Sequence, residues 1–367
     1  MRSMMTWLVA LLLCPALVGC GDNDTTAPDG GGHMDGDADA DADTDTDTDT
    51  DTDTDADTDT DTDTDTDTIP DVDTDNDFVE SYLPATTDGQ ALNQLVHVIF
   101  RPSSEPGDHI ERDSVSLLID GEPARMWNYH KDNKGNREFR YVPFPVWEGN
   151  TTYNVAILAG VTYAVSGESM EKDFVFEFTT EDVPFNEVFD EDETAILDAE
   201  ELAIVEDGAR FLRADIVADW KDATSTLYDI SRPVDPFETG IVDLATKMEQ
   251  SLVGLFATGL AAPQVGINRR LFAARLNNKV IAFINPVVID YSDEIYYYAN
   301  STEGCLSIAN VSARVARPKW VEIEYDTKNG EHLTDVRYEN NAAGTWLHEY
   351  DHLNGILITD RQESKTP

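Results

Sequence analysis

The sequence predicts a multidomain protein in which an all-β sandwich precedes a domain of mixed helices and strands, behind a disordered acidic linker. Residues 35–67 hold Asp at every odd position, residues 77–182 contain short apolar runs of period two, and longer helical patterns follow residue 183. These observations set the predicted divisions. They are a leader at 1–19, a linker at 20–76, a β-sandwich at 77–182, an acidic helical connector at 183–222 and a C-terminal domain at 223–367.

The first 19 residues have the features of a secretory leader. Arg2 precedes an apolar core from Trp7 to Leu13, which is too short to span a bilayer. The following Leu17-Val-Gly-Cys20 resembles the lipobox of bacterial lipoproteins. That resemblance implies cleavage before Cys20, a lipid on its sulfur, export and anchoring to the cell envelope. The alternative is an ordinary signal peptide with an incidental cysteine.

The formal net charge of the chain is −48, and it would be −31 without the 17 Asp residues of 35–67. A strongly acidic chain without a basic patch is expected neither to bind nucleic acid nor to dock electrostatically on anionic lipid. Alternating Asp with Thr or Ala offers nothing to bury, so residues 21–76 are predicted to be an extended spacer of at most ~190 Å. An EF-hand loop needs Gly and Glu at fixed positions that are not in register here, so only weak calcium association is expected.

Residues 77–182 predict about seven strands separated by turn clusters, which is typical of a β-sandwich. The clearest strand candidates are Leu95–Phe100, Val115–Ile119, Tyr153–Leu158 and Phe174–Phe178. The segment loosely resembles a bacterial Ig-like domain of the surface-layer type, which implies a spacer or adhesive role. His97, His109 and His130 have no second ligand at metal spacing.

The connector and the C-terminal domain begin with helical patterns. Glu193–Glu206 and Ala209–Trp220 are predicted helices, and Ile241–Val253 places apolar residues on one helical face. Strands are predicted at Val280–Ile289 and Trp320–Tyr325.

The stretch Thr345–Gly355 carries the strongest chemical signal. In a helix, His348 and His352 lie four residues apart and project from one face, where two imidazoles can bind one transition-metal ion. Glu349 can accept a proton from an attacking water. The alternative is a buried helix whose histidines only find hydrogen-bond partners.

A third ligand decides the class of enzyme. The metzincin pattern would need a His where Ile358 stands, and the thermolysin-like pattern needs a Glu beyond the 15 residues that remain after His352. Cys14 and Cys20 fall in the leader region, so Cys305 is the candidate in the folded part. One thiolate and two imidazoles leave a fourth position open, as a hydrolytic metal centre requires.

A third stretch, Ala257–Gly266, is rich in small residues. Gly259 allows close backbone approach, and Gln264 offers an amide donor of the kind that stabilises an oxyanion.

Together the three stretches resemble the signatures of peptide deformylases, over about residues 225–362. The resemblance implies an α+β fold and a monomer that removes formyl groups from N-formylated peptides. It also implies that Cys305, His348 and His352 bind Fe²⁺ (or Zn²⁺, Ni²⁺ or Co²⁺) and that Glu349 transfers the proton. Gln264 and the Leu306 N–H would contact the formyl oxygen, Gly259 would pair with the peptide, and Glu303 would support the ligands.

Two positions depart from the family pattern. Ala257 replaces the usual Gly, and Ser312 stands where many members carry Arg. Both changes put substrate affinity in question. The alternatives to an exported deformylase are a deformylase-like binding protein with weak or lost catalysis and a surface metalloprotease.

Overall fold

The computed structural model describes residues 76–125, 137–181, 196–206, 210–298 and 302–363. The predicted leader, Cys14, Cys20, nearly all of the acidic linker and His130 lie outside these residues. No helix in the described ranges is long and apolar enough to cross a membrane.

Residues 76–125 and 137–181, together called the sheet module below, form two antiparallel sheets around one core. The strands are β1 (Val79–Leu83), β2 (Val96–Phe100), β3 (Leu117–Ile119), β4 (Glu122–Pro123), β5 (Glu138–Tyr141), β6 (Thr152–Ile157) and β7 (Phe174–Thr179). One sheet has the order β1-β2-β5 and the other β4-β3-β6-β7. The four predicted strands are therefore present, while the Ig-like resemblance stays a prediction.

Aromatic residues join the two sheets of the module. Alternate residues of a strand point to one face, so Phe174, Phe176 and Phe178 all face the shared core, where they are buried. The Tyr82 ring of the other sheet lies 5.1 Å from Phe174 and 4.8 Å from Phe176, between ring centroids. Apolar burial between the sheets is the main force that holds them together.

The described residues from 196 to 363 contain three α-helices and nine strands. The helices are α1 (Ala199–Glu206), α2 (Thr239–Leu255) and α3 (Asn341–Leu353). The strands are β8 (Gly259–Ala261), β9 (Leu271–Leu276), β10 (Lys279–Tyr291), β11 (Ile295–Tyr297), β12 (Glu303–Gly304), β13 (Ser312–Pro318), β14 (Trp320–Asp326), β15 (His332–Glu339) and β16 (Gln362–Glu363). A five-stranded sheet has the order β15-β14-β10-β9-β8, and β13 pairs with β11, β12 and β16 in a smaller sheet.

Helices α2 and α3 pack on opposite faces of the five-stranded sheet. Along β9, Leu271 and Ala273 join the apolar cluster of α2, whereas the intervening Phe272 joins that of α3. Because successive strand residues point to opposite faces, one strand supplies both cores. Trp346 of α3 is fully buried, with its ring centroid 5.6 Å from that of Phe272. This packing fixes the helix that carries the two predicted histidine ligands.

The connector differs from its prediction. Helix α1 is present, but the predicted helix Ala209–Trp220 is wrong, because the described residues there contain only a 3-10 turn at Arg213–Asp215. The Phe211 N–H donates to Ser251 Oγ at 2.9 Å, and the Val217 N–H donates to the Gln264 carbonyl at 2.9 Å. These backbone N–H groups therefore donate to residues far away in the sequence and not to the carbonyls of a helix.

The same segment packs into the C-terminal domain. Leu197, Phe211 and Ile216 are buried in one cluster with α2. These residues are therefore part of the core of that domain.

Candidate active site

Helix α3 places both histidines beside its buried face. The ring centroids of His348 and His352 are 5.1 Å apart, as expected for positions one turn apart. The helix follows Asn340, which has a positive φ of 53°, and the Gly344 N–H donates to the Asn340 carbonyl at 2.9 Å. Apolar neighbours such as Trp346 and Leu347 anchor the helix, so the histidines need not contribute to its packing.

Cys305 lies in the loop between β12 and β13 and faces the histidine pair. Its Sγ is 3.3 Å from His352 Nε2, and one donor atom each from Cys305, His348 and His352 lie within 4.8 Å of one another. One sulfur and two imidazole nitrogens at this spacing suit a tetrahedral Fe²⁺ or Zn²⁺ centre. The donor set therefore fits a divalent metal.

Glu303 orients the first histidine. Its Oε2 lies 3.0 Å from His348 Nδ1, and this contact leaves Nε2 of that ring for a metal. The Arg317 guanidinium forms a bidentate pair with the same carboxylate, at 2.6 and 2.8 Å. Burial raises the pKa of Glu303, but Arg317 and His348 outweigh this and hold it at about 2. The carboxylate is thus ionised and can hold the Nδ1 proton.

The pKa of the Cys305 thiol is lowered, whereas the pKa of the buried Glu349 carboxyl is raised. Burial raises the pKa of Cys305, but the two imidazoles outweigh this and lower it to about 5, so its sulfur is a thiolate at neutral pH. Glu349 is only 3% exposed, and this burial raises its pKa to about 7 despite the nearby imidazoles. A carboxylate with a pKa near neutrality is suited to accept and return a proton. Glu349 Oε2 has no hydrogen-bond partner among the described residues, so it is free to do so.

Gln264 is held with its amide nitrogen towards the thiolate. It lies in the 3-10 turn Ala262–Val265, and its Oε1 accepts from the Ala261 N–H at 2.9 Å. Its Nε2 lies 3.5 Å from Cys305 Sγ and 3.3 Å from Ser307 Oγ. The amide nitrogen thus lies beside the sulfur, while its donation to a formyl oxygen stays a prediction. Ser307, which helps to fix it, was not singled out from the sequence.

These groups lie along one cleft of about 860 Å³. Phe256–Gly259 and Thr302–Ser312 both contribute to its lining, which also includes Leu306, Ala257, Ser312 and Gln264. All the predicted site residues except His352 line the cleft, and His352 is buried and contacts Cys305. Arg213 also lines the cleft, but it comes from the segment predicted as a connector helix and has no motif to identify it.

Strand β8 presents one edge to the cleft. It pairs with β9 on one side and is the outermost strand of the five-stranded sheet in the described structure. An unpaired strand edge can bind an extended peptide through backbone hydrogen bonds. Gly259, at the start of β8, lines the cleft, while its pairing with a peptide stays a prediction.

Gly259 leaves no room for a side chain. A Cβ at this position would overlap the Glu349 carboxylate. We therefore expect Gly259→Ala to displace Glu349 and to lower kcat by about 100-fold, because small misplacements of reacting groups have effects of this size. Formate release, the activity that the sequence resemblance implies, measures the effect in the folded variant. Gly254→Ala is the control, since a Cβ there meets nothing within 4 Å, and equal activity of the two variants would contradict the prediction.

Comparisons with known proteins agree on the family. Residues 216–367 match the polypeptide deformylase family. The chain is 35% identical to peptide deformylase of Thermotoga petrophila over 131 residues, which are 36% of this chain and 77% of that protein. It is 38% identical to the Treponema pallidum enzyme over 139 residues, or 38% of this chain and 83% of the relative.

A solved structure also aligns with this chain. The crystal structure of peptide deformylase from Thermotoga maritima is 31% identical, and the alignment covers 41% of this chain and 97% of that one, with a TM-score of 0.37.

The family match and the curated relatives cover the same C-terminal residues that bring the three sequence stretches together around one cleft. The chain therefore belongs, through residues 216–367, to the peptide deformylase family.

Proposed function

We propose that this protein hydrolyses the formyl group from N-formylated peptides and releases formate and a free amino terminus. The observation that carries the proposal is the convergence of Cys305, His348 and His352 on one point, with Glu349 and Gln264 beside it. This arrangement supplies a metal-binding set, a proton acceptor and an amide donor within one cleft.

Cys305, His348 and His352 would hold a divalent metal, and we propose Fe²⁺, with Zn²⁺, Ni²⁺ or Co²⁺ as substitutes. When bound, such an ion lowers the pKa of water and polarises a carbonyl oxygen. The thiolate and the Glu303 carboxylate both favour a cation at this place, because the sulfur is ionised and the His348 ring is fixed by its Nδ1 contact.

Glu349 moves the proton. Its carboxylate accepts a proton from the water that attacks the formyl carbon, and then returns it to the amine nitrogen as the C–N bond breaks. One water is consumed, and formate and a peptide amine are released. The Gln264 amide and the Leu306 N–H donate to the oxygen on which negative charge develops, which lowers the barrier. The peptide lies along the free edge of β8, where Gly259 permits close backbone approach.

We further propose that the enzyme acts outside the cytoplasm, attached to the envelope by a lipid on Cys20. The sequence pattern around that residue supports this placement, and the Asp-rich residues would keep the folded part away from the membrane surface. The substrate would then be a formylated peptide outside the cytoplasm.

The test is formate release from formyl-Met-Ala-Ser by anaerobically purified protein. Activity is expected in the Fe²⁺-loaded protein, and we expect a chelator to abolish it and added Fe²⁺ to restore it. A protein that bound the peptide without releasing formate would instead be a binding protein. Ala257 and Ser312, which depart from the family pattern and line the cleft, would then contribute to the loss of catalysis. Chelator-sensitive cleavage of casein would indicate a protease.

A further inference from the structure

The sheet module inserts one aromatic side chain into the core of the deformylase domain. Phe144, in the loop between β5 and β6, is buried in the apolar cluster that contains Trp346 and Tyr350 of α3. Its ring centroid lies 4.9 Å from that of Tyr291 and 6.1 Å from that of Tyr350, both nearly perpendicular. The Tyr291 hydroxyl donates to the Phe144 carbonyl at 3.1 Å.

The preceding residue contacts a buried arginine. Arg361 Nη2 donates to the Pro143 carbonyl at 3.3 Å, and the guanidinium lies 5.8 Å from the centroid of the Phe144 ring. Arg361 is 1% exposed, although its charge would favour water. The Pro143–Phe144 segment thus helps to satisfy a buried cation that comes after the catalytic helix in the chain.

From Arg361 a chain of ion pairs leads to a proposed metal ligand. Arg361 forms a bidentate pair with Asp351, at 2.8 Å for both bonds. Arg317 Nη1 donates to the same Asp351 at 2.8 Å and also pairs with Glu303, which contacts His348 Nδ1 at 3.0 Å. Asp351, Arg317 and Glu303 are all buried. Two cations and two anions therefore alternate between Pro143 and His348.

Such a chain depends on the exclusion of water. Buried ion pairs are strong only when their geometry is fixed and their remaining hydrogen bonds are made. If water reached Arg361, Asp351 would lose part of its pairing, Arg317 could shift, and the Glu303 carboxylate would hold His348 less firmly. Pro143 and Phe144, the module residues that contact Arg361, stand at the end of this chain that lies away from His348.

We propose that the sheet module is a positioning element of the metal centre, acting through Pro143 and Phe144 on the ion-pair chain that orients His348. The family match begins at residue 216, so the module lies outside it. The inference rests on the proposed metal centre, but it assigns the module a role beyond that of a spacer. The sheet module makes other contacts with the C-terminal domain, since Asn93 Nδ2 donates to the Tyr228 and Asn354 carbonyls at 3.3 and 3.1 Å.

The experiment uses the full chain loaded with Co²⁺, whose absorption reports thiolate and imidazole ligation. We expect Phe144→Ala to speed Co²⁺ release to a chelator by about tenfold, since loss of groups that support metal ligands weakens metal affinity 10–100-fold. We also expect its Co²⁺ absorption bands to shift. Phe237→Ala is the matched control, because Phe237 is 71% exposed and is not a member of the chain of ion pairs. Release is measured well below the melting temperature of each variant, and Phe144→Leu serves if the alanine variant does not fold.

The outcomes distinguish failure of the proposed role of the sheet module from failure of the proposed metal centre. A Phe144 variant with a lower melting temperature but with wild-type release rate and Co²⁺ bands would overturn the inference, because the module would then contribute stability alone. Failure of the wild-type protein to bind Co²⁺ would instead remove the metal centre and both proposals with it. Formate release is not needed for either readout, so failure of the proposed activity is seen separately.

Discussion

Glu349→Gln is expected to lower kcat for formyl-Met-Ala-Ser by about 1,000-fold while the protein keeps its metal. The amide has nearly the shape of the carboxylate, but it cannot accept a proton from water, and general acid–base catalysis contributes about 10²–10⁴-fold. The carboxylate is buried, its pKa is raised to about 7 by that burial, and its Oε2 has no partner within the described residues. Formate release and metal content are measured on the same preparation.

The control for this variant is Glu331→Gln, which changes an exposed glutamate of the β14–β15 turn. Its turnover should equal that of the wild type. Near-normal turnover of Glu349→Gln with bound metal would assign proton transfer to another group. Loss of both metal and activity would show that the carboxylate helps to retain the ion, and would leave its role in proton transfer unsupported.

Local patterns predicted much of the site. The spacing of His348 and His352 brings the two imidazoles together as soon as the segment is helical. Trp346 and Leu347 supply the buried apolar side chains that stabilise this helix. Gln264 and Cys305 came from other stretches, and their meeting at 3.5 Å depends on the packing of β8 against β9 and α3. The resemblance to a known family supplied that long-range information.

Long-range contacts explain what the sequence did not predict. The residues before and after Arg213 are fixed by Ser251 and Gln264, so helical periodicity in that segment was misleading. The pairing of Arg361 with Asp351 and of Arg317 with Glu303 links positions far apart in the chain, and no local pattern identifies such partners. No sequence pattern showed that Phe144 of the sheet module would be buried in the core of the C-terminal domain. An aromatic residue in a loop could pack in the core of either domain.

The largest effect on metal binding is expected from Cys305→Ala. The Cys305 sulfur is the one anionic donor in the proposed set, since His348 and His352 bind as neutral imidazoles. Even loss of a group that merely supports a ligand weakens metal affinity by about 10–100-fold, so loss of this ligand should weaken it by at least about 100-fold. Metal content after dialysis and formate release should then fall together, and added metal should restore little activity.

Cys305→Ser separates the charge of the sulfur from its volume. A serine hydroxyl nearly fills the space but stays protonated, whereas the two imidazoles hold the thiol pKa at about 5. We therefore expect the serine variant to resemble the alanine variant in metal content. Ser307→Ala is the control in the same loop, because its hydroxyl contacts Gln264 at 3.3 Å but is absent from the metal-binding set. If Cys305→Ala kept its full metal content while Ser307→Ala lost metal, the prediction would be wrong. The metal would then need a different third ligand, and the Cys305 thiolate would have a role other than metal binding.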